Sequence, residues 1–203
     1  MKKIVILLAA LAGMSGCGPR PDADGWYSIF DGKSLDGWKA SEHTATFTVE
    51  DGSIVAHGDR SHLFYAGEVK DAVFKNFEFS ADVMTKPGAN SGIYFHTEFQ
   101  PEGWPARGFE VQINNSFIGD PKNPETRKTG SLYGVRNEYL SFVNDDQWFN
   151  MHIVVRGNRA QVWIDGKCVV DYLQPADPYR PKGTEGRVIN KGTLPCRGTI
   201  RTA

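Results

Sequence analysis

From Trp26 onward, apolar residues recur at every second position rather than at the 3.6 spacing of a helix, and turn dipeptides interrupt them at short intervals. Phe47 and Val49 alternate with polar neighbours, Asp51-Gly52 offers the positive φ angles of a tight hairpin, and Ile54 and Ala56 resume beyond it. Over Phe77 to Met84, Phe77, Phe79, Ala81 and Val83 point one way, and Glu78, Ser80, Asp82 and Met84 the other. Over Ser91 to Glu98, Ile93, Phe95 and Thr97 oppose Tyr94, His96 and Glu98, while Phe109, Val111 and Ile113 oppose Glu110, Gln112 and Asn114. Met151–Arg156, Gln161–Ile164 and Lys167–Tyr172, joined by Gly157-Asn158 and Asp165-Gly166, read as a three-stranded meander. No stretch supports a long helix. The pattern predicts an all-β protein of two packed antiparallel sheets, a jelly roll or related sandwich whose concave face would form a groove suited to sugars.

The first residues follow a different logic. Lys2 and Lys3 precede an apolar run from Ile4 to Ala12 and then the small residues Gly13, Ser15 and Gly16, the layout of an export signal. The run is too short for a stable transmembrane helix. Met14-Ser15-Gly16-Cys17 resembles a bacterial lipobox, so residues 1–16 are expected to be a signal peptide and Cys17 the acylated anchor, with Gly18 favouring the outer membrane. Residues 17–25, rich in Pro, Gly and Asp, read as a tether, and residues 26–203 as one domain. A chain of 203 residues with 40% hydrophobic content supports one such domain. Its 23 Lys and Arg nearly balance 24 Asp and Glu, which leaves no basic field for a nucleic acid. Cys168 and Cys196 remain as a pair that is not expected to bridge.

Glu98 and Glu110 lie on strands that can be neighbours, with Tyr94, His96, Gln112 and Asn114 on the same side. A solvated sheet face would explain this equally well from periodicity alone, but the mixture of Glu, His, Gln, Tyr and Asn suits recognition of hydroxyl groups. Trp104, between the two strands, is placed either to stack on a sugar ring or to anchor its loop. His43, His57, His62 and His152 have no metal-ligand spacing and read as surface or core histidines. No Gly-x-Ser-x-Gly pattern points to acyl transfer. The Glu-x-Asp-x-x-Glu pattern of two-carboxylate jelly-roll glycosidases is missing too, since Glu110 is followed by Gln112, Asn114 and Asn115.

Phe30-Asp31-Gly32-Lys33-Ser34-Leu35-Asp36-Gly37-Trp38 resembles the opening motif of the 3-keto-disaccharide hydrolase family. Asn90–Phe95, Gly108–Ile113, Thr129–Gly134, Trp148 and the meander from Ile153 to Asp171 continue the likeness in the family's order. The resemblance implies a concanavalin-A-like jelly roll, and an enzyme that cleaves glycosides carrying a ketone at carbon 3. It implies Glu110 as the base removing the proton beside the ketone, His96 as acid or donor, and Asn90, Tyr94, Glu98, Trp104, Gln112 and Tyr133 as sugar-binding residues. A divalent metal ion could polarise the ketone, though no residue pattern establishes one. Where relatives frequently carry Arg after the Tyr-Phe pair, this chain has His96. A non-catalytic carbohydrate-binding module on the same fold is the alternative, and an interaction domain of an envelope assembly a third reading.

The tail departs from the resemblance. Beyond Thr193 the family continues into a Leu-Ala-Leu-Gln-like strand, a Gly-His-Asp-Pro-like segment and a closing strand. Here the chain runs Leu194-Pro195-Cys196-Arg197-Gly198-Thr199-Ile200-Arg201-Thr202-Ala203. Synonymous codons for these residues, read in a shifted frame, spell Ala-Leu-Gln-Gly-His-Asp-Pro-Asn-Ser. A base lost within the Leu194 codon would therefore put 194–203 out of frame and leave the sheet without its closing strand.

Overall fold

The computed structural model describes residues 19–189 and the backbone of 4–7. Thr193, the tail from Leu194, Cys196 and the lipobox cysteine lie outside the described residues. Thirteen strands follow in chain order. They are β1 (Ile4–Leu7), β2 (Trp38–Ala40), β3 (Phe47–Glu50), β4 (Ser53–Ala56), β5 (Leu63–Tyr65), β6 (Phe77–Thr85) and β7 (Ser91–Phe95), then β8 (Phe109–Ile113), β9 (Gly119–Asp120), β10 (Asn123–Pro124), β11 (Trp148–Arg156), β12 (Arg159–Ile164) and β13 (Lys167–Leu173). Only two short 3₁₀ turns, Thr44–Thr46 and Val69–Ala72, interrupt them among the described residues.

The main sheet has seven strands in the order β13-β12-β11-β6-β1-β4-β3, every neighbour antiparallel. The β3–β4 hairpin turns at Asp51 and Gly52, with φ of 48° and 76°. β11, β12 and β13 form the expected meander, with a register shift between Val162 and Trp163. Facing this sheet lies the β7–β8 pair, and β2–β5 and β9–β10 are separate two-stranded ribbons.

Alternation decides which face each strand buries. Phe77, Phe79, Ala81 and Val83 of β6 are buried, as are Phe149, Met151, Ile153 and Val155 of the neighbouring β11. They share one apolar core with Ile93 and Phe95 of β7 and with Phe109, Val111 and Ile113 of β8. Phe95 and Phe109 stack at 5.2 Å, and Phe77 meets Phe95 edge-on at 5.8 Å. The opposite face of β6 and β11 is an ordinary solvated face: Glu78 holds His152 and Arg156 at 3.1 and 2.7 Å, and Asn150 donates to Ser80 and Asp82. The strands thus form the expected two-layer all-β sandwich.

Phe109 is fully buried where the layers meet. Phe109→Ala is expected to lower unfolding stability by about 3–5 kcal/mol, measured by urea titration of the full chain, because a ring-sized void cannot collapse between two sheets.

Candidate functional site

The polar faces of β6 and of β8 have opposite fates, and the difference comes from what covers them. In the β7–β8 register, Gly92 sits across from Gln112 and Tyr94 across from Glu110, on the face turned away from the core. The other edge of β8 is satisfied by residues 130–133: Tyr133 donates its N–H to the Glu110 carbonyl, and Gln112 and Gly130 bond to the carbonyls of Ser131 and Gln112. Glu110 and Gln112 are consequently only 8% and 2% exposed, although both are polar. They form the floor of a cleft of about 720 Å³.

Glu110 is the most constrained group in it. Burial pushes its carboxyl above the usual carboxylate range, and the nearby Glu125 adds to that push. A hydrogen bond from the Tyr94 hydroxyl and the Arg187 guanidinium pull the other way. Arg187 Nη2 lies 3.6 Å from Glu110 Oε2. Burial and the Glu110 charge push the Tyr94 phenol up, so it stays a proton donor. Gly92 makes room for this arrangement, since a Cβ built there would lie 2.5 Å from Glu110 Oε1.

Arg187 arrives from far along the chain. Gly186 packs against the Ala106 carbonyl, where a Cβ would come within 2.1 Å, and its own carbonyl accepts the Gly108 N–H at 3.0 Å. Arg180 bonds the Arg187 carbonyl through Nε and the Tyr172 hydroxyl through Nη2. The guanidinium lies 5.2 Å over the Tyr133 ring, and its buried Nη1 has no hydrogen-bond partner. Tyr133 is held in turn by Glu125 and Arg127, at 3.1 and 3.0 Å from its hydroxyl.

Two further buried atoms on the cleft have no partner: Gln112 Oε1 and His62 Nδ1. Gln112 is oriented by donating to Asn90 Oδ1 at 2.6 Å. Burial lowers the basicity of His62, which keeps it neutral near pH 7. Its ring meets Tyr94 at 5.6 Å and Trp104 at 5.3 Å, both edge-on. Trp104 is 60% exposed at the rim, with Arg60 5.7 Å over its ring. Three orphaned polar atoms in one concave space are a demand for a polar ligand, because each costs free energy until it is satisfied.

Asn90, Tyr94, Trp104, Glu110, Gln112 and Tyr133 all line the cleft. His96 and Glu98 do not. β7 ends at Phe95, and His96 takes a positive φ of 54°, which breaks the alternation that would have put it beside Tyr94. Its ring is buried against Phe77 and Phe95, with Nε2 3.0 Å from the Lys75 carbonyl. Glu98 is at the surface, 3.5 Å from Arg107. Asn114 is buried away from the cleft, bonding the Arg127 carbonyl and the Phe117 N–H. Conversely, His62 and Arg187 entered the site without a sequence signal. His62 looked like one scattered histidine among several, and Arg187 sits in an irregular stretch with no periodicity to place it. Among the described residues, no three His, Cys, Asp or Glu side chains converge to hold a metal ion.

Fold and cleft together define a two-sheet sandwich with a polar cleft on the face of β7 and β8 turned away from the core. The profile of the 3-keto-alpha-glucoside-1,2-lyase-like domain matches residues 25–198, and the chain belongs to that family. A 3-keto-disaccharide hydrolase of Bacteroides thetaiotaomicron is 36% identical over 81 residues, a match covering 36% of this chain and 28% of that protein. Two solved structures from Parabacteroides distasonis, described as candidate glycosyl hydrolases, share the fold. One has a TM-score of 0.70 at 20% identity, covering 88% of this chain and 90% of its own. The other has a TM-score of 0.62 at 22% identity, covering 87% and 89%.

Gly92→Ala tests the close fit directly. The added methyl must displace the Glu110 carboxylate, so any turnover that depends on Glu110 is expected to fall by roughly two orders of magnitude. The urea midpoint should change little, because the substitution faces the cleft rather than the core.

Proposed function

We propose that this protein cleaves the glycosidic bond of 3-keto-glycosides, with Glu110 as general base. The observation that carries the reading is a carboxylate buried with raised proton affinity between a phenol donor and a guanidinium. A ketone at carbon 3 acidifies the hydrogen on carbon 2, and a carboxylate of raised pKa is a better match for that proton than an ordinary one. Glu110 takes the proton, and negative charge develops on the ketone oxygen. The free Nη1 of Arg187 is the donor available to stabilise it, joined by the Tyr94 hydroxyl once Glu110 is protonated and no longer accepts from it. The electron pair then closes a double bond between carbons 1 and 2 while the bond to the anomeric oxygen breaks. Water then adds its oxygen at carbon 1 while Glu110 returns its proton to carbon 2, and the proton the water gives up goes to the departing oxygen, which completes hydrolysis.

The remaining groups bind and orient. Gln112 Oε1 accepts from a ring hydroxyl, with Asn90 fixing the amide so that its oxygen faces the cleft. Trp104 at the rim offers an apolar face to the second sugar or leaving group. His62, rather than His96, is the group left to serve the leaving oxygen. The protein works on the outside of the cytoplasmic membrane, exported by its first 16 residues and anchored through Cys17.

A non-catalytic sugar-binding module would use the same orphaned polar atoms. It would not need a base held at the cost of burying a carboxylate. Glu110→Gln separates the two. The enzyme reading expects kcat to fall by about 10²–10⁴-fold with little change in sugar affinity. A wild type that binds 3-keto-glucosides and releases nothing would establish the binding module instead.

The pH dependence has a definite sign. Because burial raises the Glu110 pKa, the ascending limb of kcat/KM should lie above the ordinary carboxylate range, and Glu110→Gln should abolish that limb with the activity. The same shift means that the folded state binds this proton more tightly than the unfolded chain. Its stability contribution is present at low pH and lost as pH rises through the folded pKa. Glu110→Gln is therefore expected to melt no lower than wild type at pH 7, with any advantage vanishing below the ordinary carboxylate range.

A further inference from the structure

The Tyr133 ring carries two guanidinium groups, and the mechanism uses only one of them. Arg187 lies 5.2 Å over the ring and lines the cleft, while Arg127 lies 4.3 Å over it and does not. Arg127 Nη1 donates to the Tyr133 hydroxyl at 3.0 Å and to the two oxygens of Glu125 at 3.0 and 3.1 Å. Glu125, a lining residue, accepts the Tyr133 hydroxyl at 3.1 Å. Phenol, carboxylate and guanidinium thus close a triangle at the wall of the cleft.

Backbone contacts hold that triangle in place. The Arg127 N–H donates to Glu125 Oε1 at 2.9 Å, the Glu125 N–H bonds the Ile118 carbonyl, and Asn114 donates to the Arg127 carbonyl at 2.9 Å. Asn114 follows β8 directly, and the Tyr133 N–H bonds the Glu110 carbonyl, so both ends of the network are pinned to the strand that bears Glu110. Arg187 is held more loosely. Its Nη2 stands 3.6 Å from Glu110 and its Nη1 has no hydrogen-bond partner, which leaves the Tyr133 ring as a main support of the guanidinium.

We propose that Glu125 and Arg127 are positioning residues: acting as one ion pair through Tyr133, they hold the ring that carries Arg187 and fix the local charge at Glu110. The proposal rests on Glu110 as the general base. Titratable and charged groups face that carboxyl from three directions: Tyr94 on β7, Arg187 after β13, and Glu125 with Tyr133 from residues 125–133. His62, kept neutral by burial, stands beyond Tyr94. Glu125 opposes ionisation of Glu110, and Arg127 offsets Glu125 at contact distance. Removing either member leaves the other's charge uncompensated, and the two removals have opposite signs at Glu110. A merely structural pair would lower activity in both variants without opposite shifts.

The test is the ascending limb of kcat/KM for a 3-keto-glucoside, measured with the full chain. Glu125→Gln should move the limb to lower pH and Arg127→Gln to higher pH, each by roughly half a unit or more, the scale set by a unit charge within about 10 Å. With both replaced, the limb should lie between the two. Arg127→Lys keeps the charge and loses the planar group over the ring, so kcat should fall about tenfold while the limb stays near its wild-type position. Shifts in the same direction, or no shift in either single variant, overturn the proposal. So does an Arg127→Lys limb displaced as far as that of Arg127→Gln.

Carbon-13 NMR of the glutamate carboxyls in the full chain, with Glu110 assigned by its loss in Glu110→Gln, reads the same shifts without turnover. If the protein binds 3-keto-glucosides and releases nothing, the catalytic reading fails and this titration still decides. Opposite shifts retain Glu125 and Arg127 as the pair that sets Glu110, and parallel or absent shifts overturn that role. Glu125→Gln changes no volume, so if Arg127→Gln does not fold, its shift to lower pH supports the proposal and an unmoved titration refutes it.

Discussion

A carboxylate surrounded by protein is stable only in company, and the arrangement of this molecule follows from the company Glu110 keeps. Its charge is tolerated because Tyr94 donates to it and Arg187 lies near. It can occupy that place only because its diagonal neighbour on β7, Gly92, has no side chain. Tyr94 and Gly92 come from β7 and Arg187 from far along the chain, so the site exists only when β7, β8 and the segment around Arg187 are all in position. Stability is given up to bury this carboxylate, a local departure from the most stable solution of the kind found at functional sites.

The two sheets divide the labour. The apolar faces of β6, β11, β12 and β13 and those of β7 and β8 fuse into one core, which leaves the second face of each layer to its surroundings. On the main sheet that face meets solvent and carries ion pairs of ordinary surface type. On β7 and β8 it is enclosed by residues 130–133, the rim around Trp104 and the segment bearing Arg187. The same alternating pattern therefore yields a solvated surface in one place and an enclosed polar cleft in the other.

Much of this was legible in the chain itself. The faces of β6 and β8, the Asp51-Gly52 hairpin and the meander follow from period-two alternation and turn chemistry, which are local properties. The pairing of Tyr94 with Glu110 was legible too, because parity places both on the polar side. Parity failed two residues later, at His96, where a single left-handed backbone angle ended the strand and turned the ring into the core. Arg187 was hidden for another reason. Its position depends on Gly186 fitting under the Ala106 carbonyl and on Arg180 reaching back to Tyr172, contacts with no local sequence signature.

The bond from Gly108 N–H to the Gly186 carbonyl links two parts of the cleft that have different duties. On one side of it is the loop that carries Trp104, braced internally by the Gln100 side chain against the Trp104 carbonyl and the Ala106 N–H. On the other side, one residue along, is the guanidinium near Glu110. The glycines at this joint leave no slack, since a methyl at either would collide with backbone. Rim and floor thus share one close-packed joint, and a side chain larger than hydrogen at either glycine would part the loop of the outer indole from the segment of the buried cation.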